Sequence, residues 1–196
     1  MDTNHYQVLS DYLSNNTNLS QREIESLLQL FRKKILKSNE VFIEKGTQTK
    51  WVGFIVDGML KAVNPRENKR EEIHYFLPKG IFFSERSGYY QNKHLSLSIV
   101  ASKRTTLLYI SIETINRLKN ENSEMKALIH QLGENTMNYI SCMQSMLSFS
   151  TKKERIALFK EYYPQLVKVL KKIQIARFLN VSYSYYLHNS PKNRLI

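Results

Sequence analysis

The sequence predicts an α+β chain: an N-terminal antiparallel β-roll of jelly-roll type, a long helix, and a short C-terminal helix-turn-helix lacking a full wing. Three observations carry this prediction. Between Glu40 and Ile110, short β-type runs follow one another, punctuated by Gly46, Gly58, Pro65, Gly80 and Gly88. From Ser123 to Ser148, apolar residues recur at alternating spacings of four and three. The stretch Lys171 to His188 then divides into two short helices around a tight corner.

Residues 1–37 read as helical, with Leu9, Tyr12 and Leu13, then Ile24, Leu27, Leu28, Phe31 and Ile35, at helical spacing. Ser20-Gln-Arg-Glu23 matches a capping box, a hydroxyl and a carboxylate serving each other's unpaired backbone N–H groups. The strand runs are Val41–Ile43, Trp51–Val56, Met59–Val63, Glu72–Leu77, Leu95–Ala101 and Thr105–Ile110. Many short strands at regular spacing suit a small antiparallel roll.

The long helix carries a heptad seam of Met125, Ile129, Leu132, Thr136, Tyr139, Met143 and Met146. Its position between roll and tail favours a homodimer along a twofold axis; packing on its own domain is the alternative. In the tail, Ile175, Ala176 and Leu179 share one face, Asn180-Val181 makes the corner, and Ser182 can cap the second helix. Pro191 stops that helix at about Ser190. The expected domains are 1–122, 123–150 and 151–196, and the last has no room for a wing hairpin.

Charge narrows the partner. Of 29 Lys and Arg, ten fall in residues 151–196, opposed there only by Glu154 and Glu161. A compact basic segment suits a polyphosphate, because neutralised phosphates release condensed counterions. Its coincidence with the helix-turn-helix favours double-stranded DNA over a solvated basic face or an anionic lipid surface. No apolar run approaches the roughly 20 residues of a membrane span, and no secretory signal opens the chain, so a cytoplasmic protein without a membrane partner is expected.

A lone Cys142 excludes an internal disulfide framework and a four-cysteine cluster or zinc site; no metal is expected. His74 and His130 lack companion ligand motifs. The chain has no G-x-S-x-G elbow, phosphate loop, H-E-x-x-H or G-x-G-x-x-G, and an enzyme is not predicted. Glu71-Glu72, beside Lys69 and Arg70, read as an exposed strand edge.

Four segments in this order resemble the catabolite-activator and fumarate/nitrate-regulator (CRP/FNR) superfamily of transcription factors. Phe42-Ile-Glu-Lys-Gly46 is similar to its first roll turn, Phe54-Ile-Val-Asp-Gly58 to its I-x-x-G turn, and Phe76-Leu-Pro-Lys-Gly80 to its L-x-x-G lead into the ligand segment. Ile175-Ala-Arg-Phe-Leu-Asn-Val181 resembles its I-A-x-x-L-G-I. The resemblance implies a cyclic-nucleotide-binding-like roll, a homodimer, DNA as partner, and an association that extends to RNA polymerase and an unidentified small effector. The family's nucleotide sensors carry a Gly-Glu pair and an Arg followed by small residues. Here Phe83, Ser84 and Glu85, then Lys93 and His94, occupy that candidate effector pocket, so only Glu85 keeps its role. Lys93 or His94 would meet a phosphate without the bidentate guanidinium fork. No cofactor is therefore expected, cyclic nucleotide included, and Phe82, Phe83, Tyr89 and Tyr90 read as core rings.

The resemblance places base-contacting side chains at Tyr183, Ser184 and His188, none able to make the bidentate Arg–guanine contact. Lys171, Lys172, Gln174, Ser182, Lys192 and Arg194 are the candidate backbone contacts. The expected function is a homodimeric DNA-binding regulator with a divergent effector pocket. A sensor or protein-interaction module with a degenerate helix-turn-helix is the alternative.

Overall fold

The computed structural model describes residues 3–47, 50–65, 71–84, 97–121, 123–149 and 151–190. Helices α1 (Thr3–Asn16) and α2 (Gln21–Leu28) lead into strands β1 (Arg32–Leu36), β2 (Val41–Ile43), β3 (Trp51–Asp57), β4 (Met59–Pro65), β5 (Glu71–Pro78), β6 (Phe82–Phe83), β7 (Ser98–Ala101) and β8 (Thr105–Ser111). Helices α3 (Ile112–Glu121), α4 (Ser123–Ser145), α5 (Lys152–Tyr162), α6 (Pro164–Val169), α7 (Lys172–Phe178) and α8 (Tyr183–Asn189) follow. A 3-10 turn, Met146–Ser148, continues α4. No described helix is long and apolar enough to cross a membrane.

Two four-stranded antiparallel sheets face each other, ordered β1-β8-β3-β6 and β2-β7-β4-β5. Strand alternation divides their side chains between an interior and an outer layer. Ile55 and Leu107 point between the sheets with Leu36, Leu60 and Ile99, while Phe54, Val56, Leu108 and Ile110 point outward onto Leu9, Leu13 and Ile24 of the N-terminal helices. Helices α4 and α7 pack on β5 of the second sheet, so the central strands β3 and β4 are buried on both faces. This explains strands apolar throughout, such as Phe54-Ile-Val56, in place of strict alternation.

Gly58 makes the β3–β4 corner at φ +96, where a Cβ would lie 2.5 Å from the Thr105 Cα. Only glycine fits both that conformation and that contact. Ser20 and Glu23 form the expected capping box on α2.

Two expectations are corrected here. Residues 32–36, expected as helix, form β1 and pair antiparallel with Thr105–Tyr109 of β8. Sheet pairing overrides the Phe31–Ile35 spacing, and β1 is an edge strand with Ile35 42% exposed. The ends of the heptad seam of α4 do not face outward, while Ile129, Leu132, Thr136 and Tyr139 between them are half-buried. Met125, Met143 and Met146 are buried in the chain's own core, Ile129 and Leu132 pack against its N-terminal cluster, and Tyr139 packs against the core that spans roll and tail. Thr136 donates to the Phe82 carbonyl at 2.7 Å. The seam's period marks an apolar stripe, which α2 and α3 at one end and the roll and α5 at the other pack against within the same subunit.

Candidate nucleic-acid interface

The C-terminal helices build a helix-turn-helix from the expected residues. Ile175, Ala176 and Leu179 of the first helix are fully buried. The corner is a Schellman turn: Val181 N–H donates to the Ala176 carbonyl at 3.0 Å, and Asn180 N–H to Arg177 at 3.2 Å. Asn180 supplies the left-handed residue at φ +53, standing where the resemblance has glycine. The Ser182 hydroxyl accepts from Tyr185 N–H at 3.2 Å and starts α8.

The rotation of α8 is set by Tyr186, which is 1% exposed, and by half-buried Tyr185, over whose ring the Lys152 ammonium sits at 5.8 Å. Tyr183, Ser184, Leu187 and His188 consequently face outward. Leu187 was missed by sequence reasoning, since a leucine on a short amphipathic helix reads as core; at 42% exposure it belongs to the outer face. The Arg155 guanidinium donates to the Leu179 carbonyl at 3.1 Å and ties α5 to the end of the first helix.

Lys171 and Lys172 are exposed at the start of α7, and Lys152 and Lys153 are exposed at the start of α5. Positive charge is dense enough to act on itself: burial first, then the Lys172 ammonium, holds the Lys160 amine below the ordinary lysine range. Lys192 and Arg194 lie outside the described residues.

Gln174 requires correction. It is buried, its carboxamide donating to the Ser102 hydroxyl of the roll at 3.0 Å and accepting from Lys171 N–H at 3.1 Å. A phosphate cannot reach it while α7 rests on the roll. Glu71 lies on edge strand β5, as expected, but α7 half-covers it. Glu71 accepts from the 2%-exposed Lys61 at 2.6 Å and from Arg177 of α7 at 3.1 Å, while Phe178 packs on Phe76 with ring centroids 5.7 Å apart. An ion triad and an aromatic pair thus lock the first helix of the motif to the second sheet.

The candidate effector pocket is brought together only in part. Phe83 is 3% exposed; its ring occupies the space over Gly53 and meets Phe42 edge-on at 5.6 Å, making it core. The Ser84 hydroxyl donates to the Trp51 carbonyl at 3.2 Å. Glu85, Lys93 and His94, like Tyr89 and Tyr90, lie outside the described residues. Cys142 is exposed on α4.

Residues 33–122 match the model of the cyclic nucleotide-binding domain family. No curated protein matches the chain. Among solved structures, FixK2 from Bradyrhizobium japonicum superposes with a TM-score of 0.67 at 13% identity, covering 82% of each chain. A CRP/FNR-family transcriptional regulator from Eubacterium rectale gives 0.67 at 15% identity over 91% of this chain and 85% of that one. A mutant of CooA from Carboxydothermus hydrogenoformans gives 0.62 at 16% identity over 97% and 84%. Residues 33–122 thus resemble cyclic nucleotide-binding domains, and the chain shares its fold with these solved structures, a CRP/FNR-family regulator among them.

Proposed function

We propose that this protein is a non-catalytic, cytoplasmic transcription regulator that binds double-stranded DNA as a homodimer. The carrying observation is the capped helix-turn-helix, with Tyr183, Ser184, Leu187 and His188 outward and exposed lysines at the starts of α5 and α7. Lys171, Lys172 and Ser182 hold phosphates, and Lys192 and Arg194 extend that set on sequence grounds. Tyr183, Ser184 and His188 meet base edges. Because these offer no Arg–guanine fork, affinity leans on phosphates.

The dimer uses the outward side of α4, not the internal seam. Gly133 has open space where a Cβ would stand, and Met137 is 42% exposed one turn further along. Two recognition helices related by that axis must lie about 34 Å apart to read successive major grooves. A small effector, not a cyclic nucleotide, acts through the segment that follows β6. The Thr136–Phe82 hydrogen bond supports coupling between that segment and α4. RNA polymerase is the further partner this reading requires for activation.

A second reading, a protein-interaction sensor with a degenerate motif, is favoured by α8 being only seven residues long. Salt titration of binding to a duplex separates the two. A regulator's binding weakens steeply with salt, and Lys171→Glu with Lys172→Glu weakens it further and flattens the slope by about one to two phosphate contacts. Duplex binding unchanged by that pair contradicts the assignment of the docking face.

A further inference from the structure

Tyr183 and Leu187 are 45% and 42% exposed and lie one turn apart on α8, so they form one apolar row. Ser184 and His188 form a second, polar row beside it, also one turn apart and exposed. The opposite side of the helix is committed to packing through Tyr186, and the Asn189 carboxamide donates to the Tyr185 carbonyl at 3.0 Å. No lysine or arginine stands on α8 at all. The exposed lysines that flank it are on α5 and the start of α7, off the recognition helix itself.

Each base pair shows a different chemistry in the major groove. Guanine displays two acceptors suited to Arg or Lys, whereas the thymine C5 methyl is the apolar group displayed there. An apolar row on an otherwise basic face is complementary to methyl groups and has no partner on a G·C pair. A hydroxyl and an imidazole beside it can serve adenine N7 and N6. We propose that α8 reads A·T-rich half-sites, with Leu187 and Tyr183 packing on thymine methyls and Ser184 and His188 bonding adenine edges. This rests on the DNA-binding reading and specifies the bases that reading leaves open.

The test is selection by the full-length protein from a randomised duplex pool, followed by resynthesis of the best site with deoxyuridine for thymidine in each half-site. That exchange removes only methyl groups; phosphates and Watson–Crick edges are retained. The expected result is A·T-dominated half-sites and an affinity loss of about tenfold on loss of two methyl contacts. Leu187→Ala, at an exposed position, should lose most of that methyl dependence and keep the salt slope. A guanine-centred consensus, or indifference to deoxyuridine in the wild-type protein, overturns the inference and leaves a specific regulator standing. Duplex binding with no enriched site overturns both.

Discussion

At the residue scale, the corner of the helix-turn-helix depends on Asn180. Its φ of +53 is a conformation that asparagine tolerates and a β-branched residue does not, the cost being about 1–2 kcal/mol. Asn180→Val should lower the melting temperature clearly, while Asn180→Gly should leave it nearly unchanged; thermal unfolding by circular dichroism decides. Ser182→Ala should cost about 1 kcal/mol through the lost cap, read in the same experiment. Both residues were legible in the sequence, because a turn residue followed by a capping hydroxyl has a local cause. Gln174 was not. Nothing local distinguishes a glutamine that meets a phosphate from one whose carboxamide bonds Ser102, 72 positions away.

At the element scale, periodicity located α4 but not what covers it. Met143 and Met137 lie on different sides of one helix, the first 0% exposed and the second 42%. Met143→Glu should therefore destabilise the fold by burying an unpaired carboxylate beneath the second sheet. Met137→Glu should leave the monomer folded and break the dimer. Light-scattering mass with a thermal melt on each variant checks this; a fully dimeric Met137→Glu protein contradicts the assigned face.

The ion triad makes a second prediction. Removing Glu71 strands the buried Lys61 ammonium, so Glu71→Ala should cost about 3–5 kcal/mol. Lys61→Met, which removes the buried charge itself, should be neutral or stabilising in a denaturant titration. The charged neighbours Lys69 and Arg70 mark Glu71 as part of a strand edge, which it is, but do not show that a helix half-covers it. The helix that covers it arrives from Arg177, 106 residues later. Strand β1 was misread for a related reason: its five residues acquire β structure only by pairing with β8.

At the scale of the whole molecule, the roll, α4 and the helix-turn-helix share one continuous core cluster, so the tail is not a freely hinged module. α7 is bound to the second sheet through Glu71, Phe76 and Ser102, and α4 is bound to β6 through Thr136. A displacement of β6 therefore meets α4 directly, at the Phe82 carbonyl that Thr136 holds. The order of roll, helix and tail was legible because each part has its own hydrophobic period. Their docking was not, since it is made of single residues far apart in sequence.

The measurement that bears most directly on this account is selection of genomic fragments by the purified protein at about 150 mM salt, with the mass of the complex determined alongside. A twofold-symmetric dimer predicts enrichment of an inverted repeat, with half-site centres about one helical turn, or 34 Å, apart, bound by two copies of the chain. Uniform recovery of fragments, or binding by a single copy, would contradict it.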